Sequence, residues 1–313
     1  MRIAIYGVGA VGGYFGARLA RSGEDVAFVA RGGTLRALGD RGLRITSPDG
    51  DFEVGGLRVF EDPTEIGPVD AVLLGVKAWQ VPQAAEGLRP LIGPDTCVLP
   101  LQNGVEAPRQ LRAVLGPQPV LGGTCRIISS VVEPGHIMHH GVPPHVALGE
   151  LDNSRSERVQ RLRDTLERSG VQAEIPASIQ AAMWNKFVFI STVSGIGAVT
   201  RSSVGELRDL PETRMMLELS MREIVEVGLA HEIPLPPDAV AKWMAFLDTL
   251  PAEATASMQR DITEGRPSEL EAQNGAVVRL GFEKDVDTPV NAFVYYCLLP
   301  MERRARTQAP SKT

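Results

Sequence analysis

The chain has 313 residues with a formal net charge of −6, and 43% of its residues are hydrophobic. This length and composition predict a globular protein of two domains, and the acidic balance without a basic stripe argues against nucleic-acid binding. Three cysteines far apart in sequence do not make a disulfide framework, and no signal-peptide pattern is present, so we expect a cytoplasmic protein. The uncharged stretch at residues 187–200 is shorter than the roughly 20 apolar residues that span a bilayer, so no membrane partner is expected.

Apolar runs rich in β-branched residues predict buried strands in the first half of the chain. They alternate with helical segments or loops, which is typical of a parallel α/β sheet. The runs lie at residues 2–6, 25–30, 70–76, 97–101 and 120–126. Between the first two, residues 11–22 have the apolar spacing of a helix that ends at Gly23, a suitable C-terminal cap. The first βαβ unit is therefore predicted over residues 2–30.

A glycine-rich turn, GVGAVG, follows the first predicted strand and opens the first helix. In a dinucleotide-binding turn, Gly7 would allow the tight bend, Gly9 would let the backbone approach a pyrophosphate, and Gly12 would let the helix pack on the strand. The N–H groups at Ala10 and Val11 would face the anion. The motif is common by itself, but strand, turn and helix follow here in the required order. It predicts a Rossmann-type dinucleotide site.

Arg31 follows the second predicted strand, at the place where an NAD-binding protein carries an acidic residue for the ribose hydroxyls. An arginine there can pair with a 2′-phosphate, so NADPH is predicted as the cofactor in preference to NADH. The bland interpretation is an ordinary solvated arginine of a surface loop. We favour the functional interpretation because this position is the one that the fold uses for discrimination.

A change of pattern near residue 176 predicts the domain boundary. A charged amphipathic helix at residues 155–169 is followed by a short strand at 171–175 and then by Pro176. From Ile179 onward the spacing is helical almost throughout. The fold class is therefore predicted as a Rossmann-type α/β domain at residues 1–175, which binds NADP, followed by an all-α domain at residues 176–313 for substrate and catalysis.

Three polar residues stand out in apolar surroundings. Lys77 and Asn103 follow the predicted strands at residues 70–76 and 97–101, so they lie at carboxyl ends, where open α/β sheets bind ligands. Each is also compatible with a plain polar residue after a strand, and Asn-Gly is a turn signal. Lys186 lies in a segment that is apolar on nearly every side, where a lysine is costly unless it is paired or functional. It is also compatible with a stem that packs while the amine reaches water.

The histidine-rich stretch PGHIMHHGVPPH has no acidic or cysteine ligands at metal spacing and looks like a hairpin. No metal site is predicted from it.

Taken together, five segments resemble the ketopantoate reductase (2-dehydropantoate 2-reductase) family in order and spacing across nearly the whole chain. They are GVGAVGGYFGARLARSG, VLLGVKAWQ, LQNGVE, MWNKF and SMQRDITEGRPSELEAQNG. The resemblance implies an oxidoreductase acting on CH–OH groups, which uses NADPH to reduce a small 2-oxo acid. The first candidate reaction is 2-dehydropantoate to pantoate, in pantothenate biosynthesis.

The resemblance also implies roles for single residues. Arg31 and Lys77 match the residues that contact the 2′-phosphate end of the cofactor, and Asn103 matches an asparagine beside the nicotinamide and the substrate. Lys186 matches the catalytic lysine, which would stabilise and protonate the developing alkoxide.

Two residues near the end of the matching region are also given roles by the resemblance. Ser257 matches a serine that binds the substrate carboxylate, and Glu269 matches the acidic residue that holds the substrate hydroxyl and helps to position the lysine. Without the resemblance, the two residues read as a routine helix hydroxyl and a helix-surface carboxylate.

The sequence departs from the family pattern at two positions of the lysine helix. Members of the family have asparagines four and eight residues after the lysine, where this chain has Ile190 and Ser194. Ser194 is still a candidate substrate-binding residue, but Ile190 cannot form a side-chain hydrogen bond. A lost hydrogen bond to substrate costs on the order of 1 to 3 kcal/mol, so a more apolar 2-oxo acid stays open as the substrate.

Three further functions are compatible with the sequence. They are a paralogous reductase of another keto acid, a β-hydroxyacid dehydrogenase, and an NADP-sensing protein that has lost catalysis. A homodimer is left open as the assembly.

Overall fold

A computed structural model describes residues 1–308 of the protein. These residues form two compact units. The first unit comprises Met1–Gln102 and Ala107–Ala182, and the second comprises Asn103–Glu106 and the described residues from Met183 onward. The domain boundary predicted after residue 175 stays a prediction.

The first unit contains both strands and helices. Its strands are β1 (Arg2–Tyr6), β2 (Asp25–Val29), β3 (Leu43–Thr46), β4 (Phe52–Val54), β5 (Arg58–Phe60), β6 (Ala71–Leu74), β7 (Cys97–Pro100), β8 (Leu121–Arg126), β9 (Ser129–Glu133), β10 (His136–His139), β11 (His145–Glu150) and β12 (Gln172–Glu174). Its helices are α1 (Ala10–Arg21), α2 (Gly32–Arg41), α3 (Val81–Leu88), α4 (Ala107–Leu115) and α5 (Glu157–Arg168).

The central sheet of this unit is parallel and has the strand order β5-β2-β1-β6-β7. Four of the five strands predicted from apolar runs lie in it. The fifth, at residues 120–126, is a strand but does not join this sheet, so that expectation is wrong. Apart from one bridge between Val120 and Val98, β8 pairs antiparallel with β11 in a separate three-stranded sheet, because β11 supplies the backbone partners along its whole length.

The parallel sheet is buried on both faces, and its strands divide their side chains between two apolar clusters. Ile3 and Ile5 of β1 belong to one cluster, which also contains Phe15 of α1, whereas Ala4 and Tyr6 belong to the other, with Leu88 of α3. This alternation is what a strand with helices on both sides requires, and it explains why the sequence shows continuous apolar runs. The α/β fold class is confirmed for the N-terminal part of the chain.

The second unit is built from helices. They are α6 (Ile179–Thr200), whose first residues lie in the first unit, α7 (Val204–Asp209), α8 (Pro211–Ala230), α9 (Ala239–Thr249), α10 (Ser257–Thr263), α11 (Asn274–Phe282) and α12 (Pro289–Gln308). The described residues of this unit include no strand. The predicted all-α character of the C-terminal part is confirmed. No helix among residues 1–308 is both long and apolar enough to cross a membrane.

A buried polar network joins four of these helices around Asn291 of α12. Its Nδ2 donates to Glu223 Oε2 of α8 at 2.7 Å, and its Oδ1 accepts from Asn274 Nδ2 of α11 at 3.0 Å. Asn274 Nδ2 also donates to the carbonyl oxygen of Ser191 on α6 at 3.3 Å. The Glu223 carboxylate accepts the backbone N–H groups of Val290 and Asn291, and so caps the first turn of α12. Hydrogen bonds between buried groups of this kind fix α6 and α11 against each other.

Candidate functional site

The turn between β1 and α1 has two positions where only glycine fits. Gly7 has a φ of +95°, in the left-handed region, and a Cβ there would lie 2.7 Å from Cγ1 of Val76. A Cβ at Gly12 would lie 2.1 Å from the carbonyl oxygen of Gly7. At Gly9, by contrast, a Cβ would meet no heavy atom within 4 Å. The turn is therefore closely packed on its inner side and open at Gly9.

The first turn of α1 offers backbone donors at this open position. Gly9 precedes the helix and provides no side-chain cap, and Ala10 and Val11 are the first helical residues. The N–H groups of a first helical turn have no partner within the helix, and the helix dipole places partial positive charge there. An anion next to Gly9 would meet both features, so the turn fits the pyrophosphate of a dinucleotide.

Two basic residues lie at the ends of the strands on either side of β1. Arg31 follows β2, is exposed, and immediately precedes α2. Lys77 follows β6, is exposed, and has its Nζ 5.8 Å from the centre of the Trp79 ring. Because β2, β1 and β6 are parallel neighbours, their carboxyl ends meet at one edge of the sheet. The structure thus brings Arg31, the glycine turn and Lys77 to the same edge.

In the second unit, three predicted site residues form one hydrogen-bonded chain. Lys186 Nζ donates to Asn103 Oδ1 at 2.8 Å, and Asn103 Nδ2 donates to Glu269 Oε2 at 3.1 Å. The amide accepts from the cation and donates to the carboxylate, so both neighbours fix its orientation. Glu269 is 7% exposed, while Lys186 and Asn103 are half-buried. An ammonium held in this way can protonate an oxygen atom beside it or stabilise negative charge there.

Lys186 is the one charged residue in the 22 residues of α6. Its hydrogen bond to Asn103 offsets part of the cost of placing a cation on an apolar helix. Phe189 and Ile190 follow Lys186 by three and four residues, so they lie on the same face of the helix, one turn later. Both are half-buried, and the Phe189 ring stacks on Trp243 of α9 at 4.7 Å. The surroundings of Lys186 on α6 are therefore apolar.

Ser194, two turns after Lys186, has no solvent-exposed surface, and its Oγ has no hydrogen-bond partner among the described residues.

Ser257 is the first residue of α10 and is half-buried. Helix α10 packs against α6, since a Cβ at Gly197 would lie 2.6 Å from Oε1 of Gln259. Gly197 follows Lys186 by three turns on the same side of the helix. Within residues 1–308, however, Ser257 makes no hydrogen bond to the chain of Lys186, Asn103 and Glu269. The structure therefore places Ser257 near the same face of α6 but does not connect it to the chain.

A group of charged residues beside this chain was not predicted from the sequence. Arg279 of α11 donates to Glu106 at 2.8 Å and to Glu271 at 3.1 Å. Tyr295 of α12 donates to the other oxygen of Glu271 at 2.7 Å. Burial, and then its hydrogen bond to Glu271, raises the pKa of Tyr295 to about 12. No local pattern could have revealed this group, because 173 positions separate Arg279 from Glu106.

Glu302 of α12 is a second residue that the sequence did not single out. It is 2% exposed, and its carboxylate accepts hydrogen bonds from both the backbone N–H and the hydroxyl of Ser268. Arg306, one turn later, pairs with Glu302 and also donates to the carbonyl oxygen of Ser268. These bonds fix the backbone immediately before Glu269.

The histidine-rich stretch lies partly in the hairpin of β9 and β10. His136 is hydrogen bonded to Thr46, His139 to Ser47, and His140 to Ser130. Within residues 1–308, no group of three or more His, Cys, Asp or Glu residues is arranged to hold a metal ion.

Comparisons with known proteins agree with the resemblance in the sequence. The family model of ketopantoate reductase PanE/ApbA matches residues 3–153, and the model of its C-terminal part matches residues 178–302. A protein of Mesorhizobium japonicum named 2-dehydropantoate 2-reductase is 32% identical, over 92% of this chain and 94% of its own length. A protein of the same name from a Nostoc species is 29% identical over 98% of this chain and 97% of its own length.

Solved structures of similar proteins share the fold of the chain. The 2-dehydropantoate 2-reductase of Geobacter metallireducens is 30% identical, covers 96% of this chain and 99% of its own, and has a TM-score of 0.90. A D-mandelate dehydrogenase solved with NADH and anilino(oxo)acetate is 25% identical, with a TM-score of 0.89 over 98% of this chain and 99% of its own.

These comparisons confirm the predicted family, fold class and class of enzyme, an oxidoreductase of the 2-dehydropantoate 2-reductase type, and a nicotinamide dinucleotide as its cofactor. Because two family models together match most of its length, this chain belongs to the ketopantoate reductase family.

Proposed function

We propose that this protein uses NADPH to reduce a small 2-oxo acid to the 2-hydroxy acid, with 2-dehydropantoate as the first candidate substrate. The observation that carries the proposal is the hydrogen-bonded chain of Lys186, Asn103 and Glu269. The Lys186 ammonium in this hydrogen-bonded chain can donate a proton to a carbonyl oxygen. A reductase needs such a proton donor besides a source of hydride. The names of the similar proteins from Mesorhizobium and Nostoc support the substrate and, with it, a place in pantothenate biosynthesis.

The cofactor supplies the hydride when it is bound, and the first unit has the features to hold it. The open backbone at Gly9 and the first turn of α1 fit the pyrophosphate. Arg31, exposed at the end of β2, is proposed to pair with the 2′-phosphate, and this pairing is the basis for preferring NADPH over NADH. Lys77 is proposed to contact the same end of the cofactor. The proposed cofactor residues are Gly7, Gly9, Ala10, Val11, Gly12, Arg31, Lys77 and Asn103.

In the proposed mechanism, the Lys186 ammonium lies beside the carbonyl oxygen of the substrate. It donates its proton to this oxygen as negative charge develops there, and the product leaves as the alcohol. Asn103 keeps the ammonium oriented by accepting a hydrogen bond from it, and Glu269 keeps the amide of Asn103 from rotating. Ser257 and Ser194 are the proposed partners of the substrate carboxylate and of its remaining polar groups.

The proposal is tested by measuring NADPH oxidation by the purified protein with a panel of 2-oxo acids that includes 2-dehydropantoate. Turnover with a 2-oxo acid is expected, and Lys186→Met should lower kcat by about 10²- to 10⁴-fold, the usual contribution of a general acid. NADPH binding by the variant, followed by cofactor fluorescence, should remain. Binding of NADPH without turnover in either direction would favour the sensing protein. Reduction of NADP+ by 3-hydroxy acids, with no NADPH oxidation by any 2-oxo acid, would favour a β-hydroxyacid dehydrogenase.

A bulkier, more apolar 2-oxo acid is a second candidate substrate, and one observation favours it. Phe189 and Ile190 follow Lys186 by one helical turn, and the Phe189 ring stacks on Trp243. Neither Phe189 nor Ile190 has a side-chain group that can hydrogen bond a polar group of the substrate. The structurally similar D-mandelate dehydrogenase was solved with anilino(oxo)acetate, an aryl 2-oxo acid. The same panel separates the two candidates through their values of kcat/KM.

A further inference from the structure

We propose that Arg279 is a positioning residue that holds Asn103 and Glu269 at hydrogen-bonding distance from each other. The proposal rests on the proposed function, since it concerns the same site, but its central claim about the backbone can be tested without turnover. The hydrogen bonds of Arg279 go to Glu106 and Glu271, and not to Lys186 or to the amide of Asn103. Its action would be exerted through the two chain segments that carry Asn103 and Glu269.

Arg279 binds both of these segments at once. Its Nη2 donates to Glu106 Oε2 at 2.8 Å, and Glu106 follows Asn103 by three residues. The same Nη2 donates to the carbonyl oxygen of Glu271 at 2.7 Å, and Nη1 donates to Glu271 Oε2 at 3.1 Å. Glu271 follows Glu269 by two residues. One guanidinium group therefore bridges the segments that provide the acceptor and the donor of the bond between Asn103 and Glu269.

The contact partners of Arg279 are themselves held in place. Glu106 is only 9% exposed in its side chain, and Tyr295 holds the second carboxylate oxygen of Glu271 at 2.7 Å. The segments also pack directly, because a Cβ at Gly104 would lie 2.6 Å from the carbonyl oxygen of Ala272. Gly104 has a φ of +100°, so the backbone after Asn103 follows a path that suits glycine.

The segment Asn103–Glu106 depends on such external contacts because it belongs to no helix or strand. Without regular backbone hydrogen bonds, its position is set by side-chain contacts and by packing. A planar guanidinium has several N–H donors in fixed directions, so it can hold two acceptors in one geometry. A lysine ammonium supplies the charge without this fixed arrangement of donors. Loss of Arg279 should therefore free the segment and lengthen the bond between Asn103 and Glu269, although no group that touches substrate is removed.

The test compares Arg279→Met and Arg279→Lys with the matched variant Arg214→Met in the full-length protein. Arg214 of α8 makes an equally short two-pronged bridge to Asp248 of α9, at 2.6 and 2.8 Å, with a similar exposed fraction of 37% against 44% for Arg279. Amide hydrogen exchange by mass spectrometry is measured for each variant, together with kcat, KM, NADPH affinity and the melting temperature.

We expect Arg279→Met to speed exchange at residues 103–106 and 269–272 and to lower kcat by about 10- to 100-fold, the loss typical of a misplaced catalytic group. NADPH affinity should stay unchanged, Arg279→Lys should lie between the wild type and Arg279→Met, and Arg214→Met should leave kcat and exchange in both segments unaltered.

Unchanged exchange in both segments of a folded Arg279→Met variant would overturn the proposal, whether or not the protein turns over 2-oxo acids. A loss of kcat matched by Arg214→Met would also overturn it, because the effect would then follow from general destabilisation. Absence of turnover in the wild-type protein would instead contradict the proposed function, and the exchange data would still decide the role of Arg279.

Discussion

Lys186 donates a 2.8 Å hydrogen bond to the side chain of Asn103, a residue 83 positions earlier in the chain. The bond joins a lysine of a long apolar helix to an asparagine that directly follows the parallel sheet in sequence. Since Asn103 also donates to Glu269, the position of the ammonium depends on two residues that are distant in sequence.

Replacing Asn103 by leucine should lower kcat by about 10²- to 10³-fold, as is typical when a preorganised polar partner of the reacting group is removed. Both hydrogen bonds of the chain are lost, and Glu269 is left without its amide donor. Steady-state kinetics with the preferred 2-oxo acid provides the measurement. Asn185→Leu is the matched control, because Asn185 accepts a hydrogen bond from Trp243 and takes no part in the hydrogen bonds between Lys186, Asn103 and Glu269. Equal turnover by the two variants would show that the amide of Asn103 has no special role.

Replacing Ile190 by asparagine should raise kcat/KM for 2-dehydropantoate relative to a 2-oxo acid that lacks a hydroxyl group. The new amide lies one turn after Lys186 and can bond the substrate hydroxyl, a gain of about 1 to 3 kcal/mol or roughly 5- to 150-fold. Ile190→Leu is the control, since it keeps the surface apolar. The ratio of the two kcat/KM values is the quantity to measure, and a ratio that does not change would place Ile190 outside the substrate site.

Replacing Gly9 by alanine should weaken NADPH binding while leaving the free energy of unfolding nearly unchanged. The added methyl group meets no protein atom within 4 Å, but it occupies the space proposed for the pyrophosphate. The control is Gly39→Ala in α2, where a Cβ is equally unhindered. Fluorescence titration and chemical denaturation give the two quantities. If Gly9→Ala bound NADPH as well as the wild type, the cofactor would not approach the turn at this residue.

Replacing Arg31 by alanine should raise the Kd of NADPH by about tenfold or more and leave the Kd of NADH unaffected, because only NADPH carries the 2′-phosphate that forms a charge-assisted bond with the guanidinium. Arg36→Ala is the matched control, as Arg36 is an exposed arginine of α2 with no part in the proposed cofactor site. Titration of each variant with both cofactors is the experiment. A parallel loss of affinity for NADPH and NADH would remove the reason for assigning Arg31 to the 2′-phosphate.

Replacing Glu150 by glutamine should destabilise the protein at neutral pH and weaken its acid sensitivity. Burial alone would raise the pKa of Glu150, but hydrogen bonds from Arg158 and Ser156 outweigh it and hold the pKa below its ordinary value of 4.5. The folded state therefore binds this proton less readily than the unfolded state. Its contribution, about 1 to 3 kcal/mol for a bond to a charged group, is complete above the ordinary pKa and is lost as the pH falls through the lowered one.

The free energy of unfolding of the wild type and of Glu150→Gln is measured with denaturant at neutral pH and at an acidic pH below 4.5, the ordinary pKa of a glutamate. Glu53→Gln is the control, because Glu53 forms only an exposed ion pair with Arg44 at 3.7 Å, and such pairs contribute little. If the free energy of unfolding of Glu150→Gln depended on pH as steeply as that of the wild type, other groups would be responsible for the acid sensitivity.

The sequence by itself determined the parts of the protein that depend on neighbouring residues. Strand β1, the glycine turn and α1 follow one another within 21 residues, so apolar runs and glycine spacing were enough to predict them. The buried strands of the parallel sheet were recognisable because both of their faces are covered, which leaves a continuous apolar run. Lys186 stood out as a single charge in an apolar helix, but its catalytic role was implied only by the resemblance to the family.

Only the tertiary structure decided which distant groups meet. The run at residues 120–126 predicted a strand correctly, but its partner β11 is chosen by backbone pairing across the chain, which apolar content does not specify. In the same way, nothing near Asn103 in the sequence indicates Lys186, Glu269 or the bridge from Arg279 to Glu106. Local patterns report which residues are buried and how the backbone bends, whereas a hydrogen bond depends on distances of a few ångströms that exist only after the helices have packed.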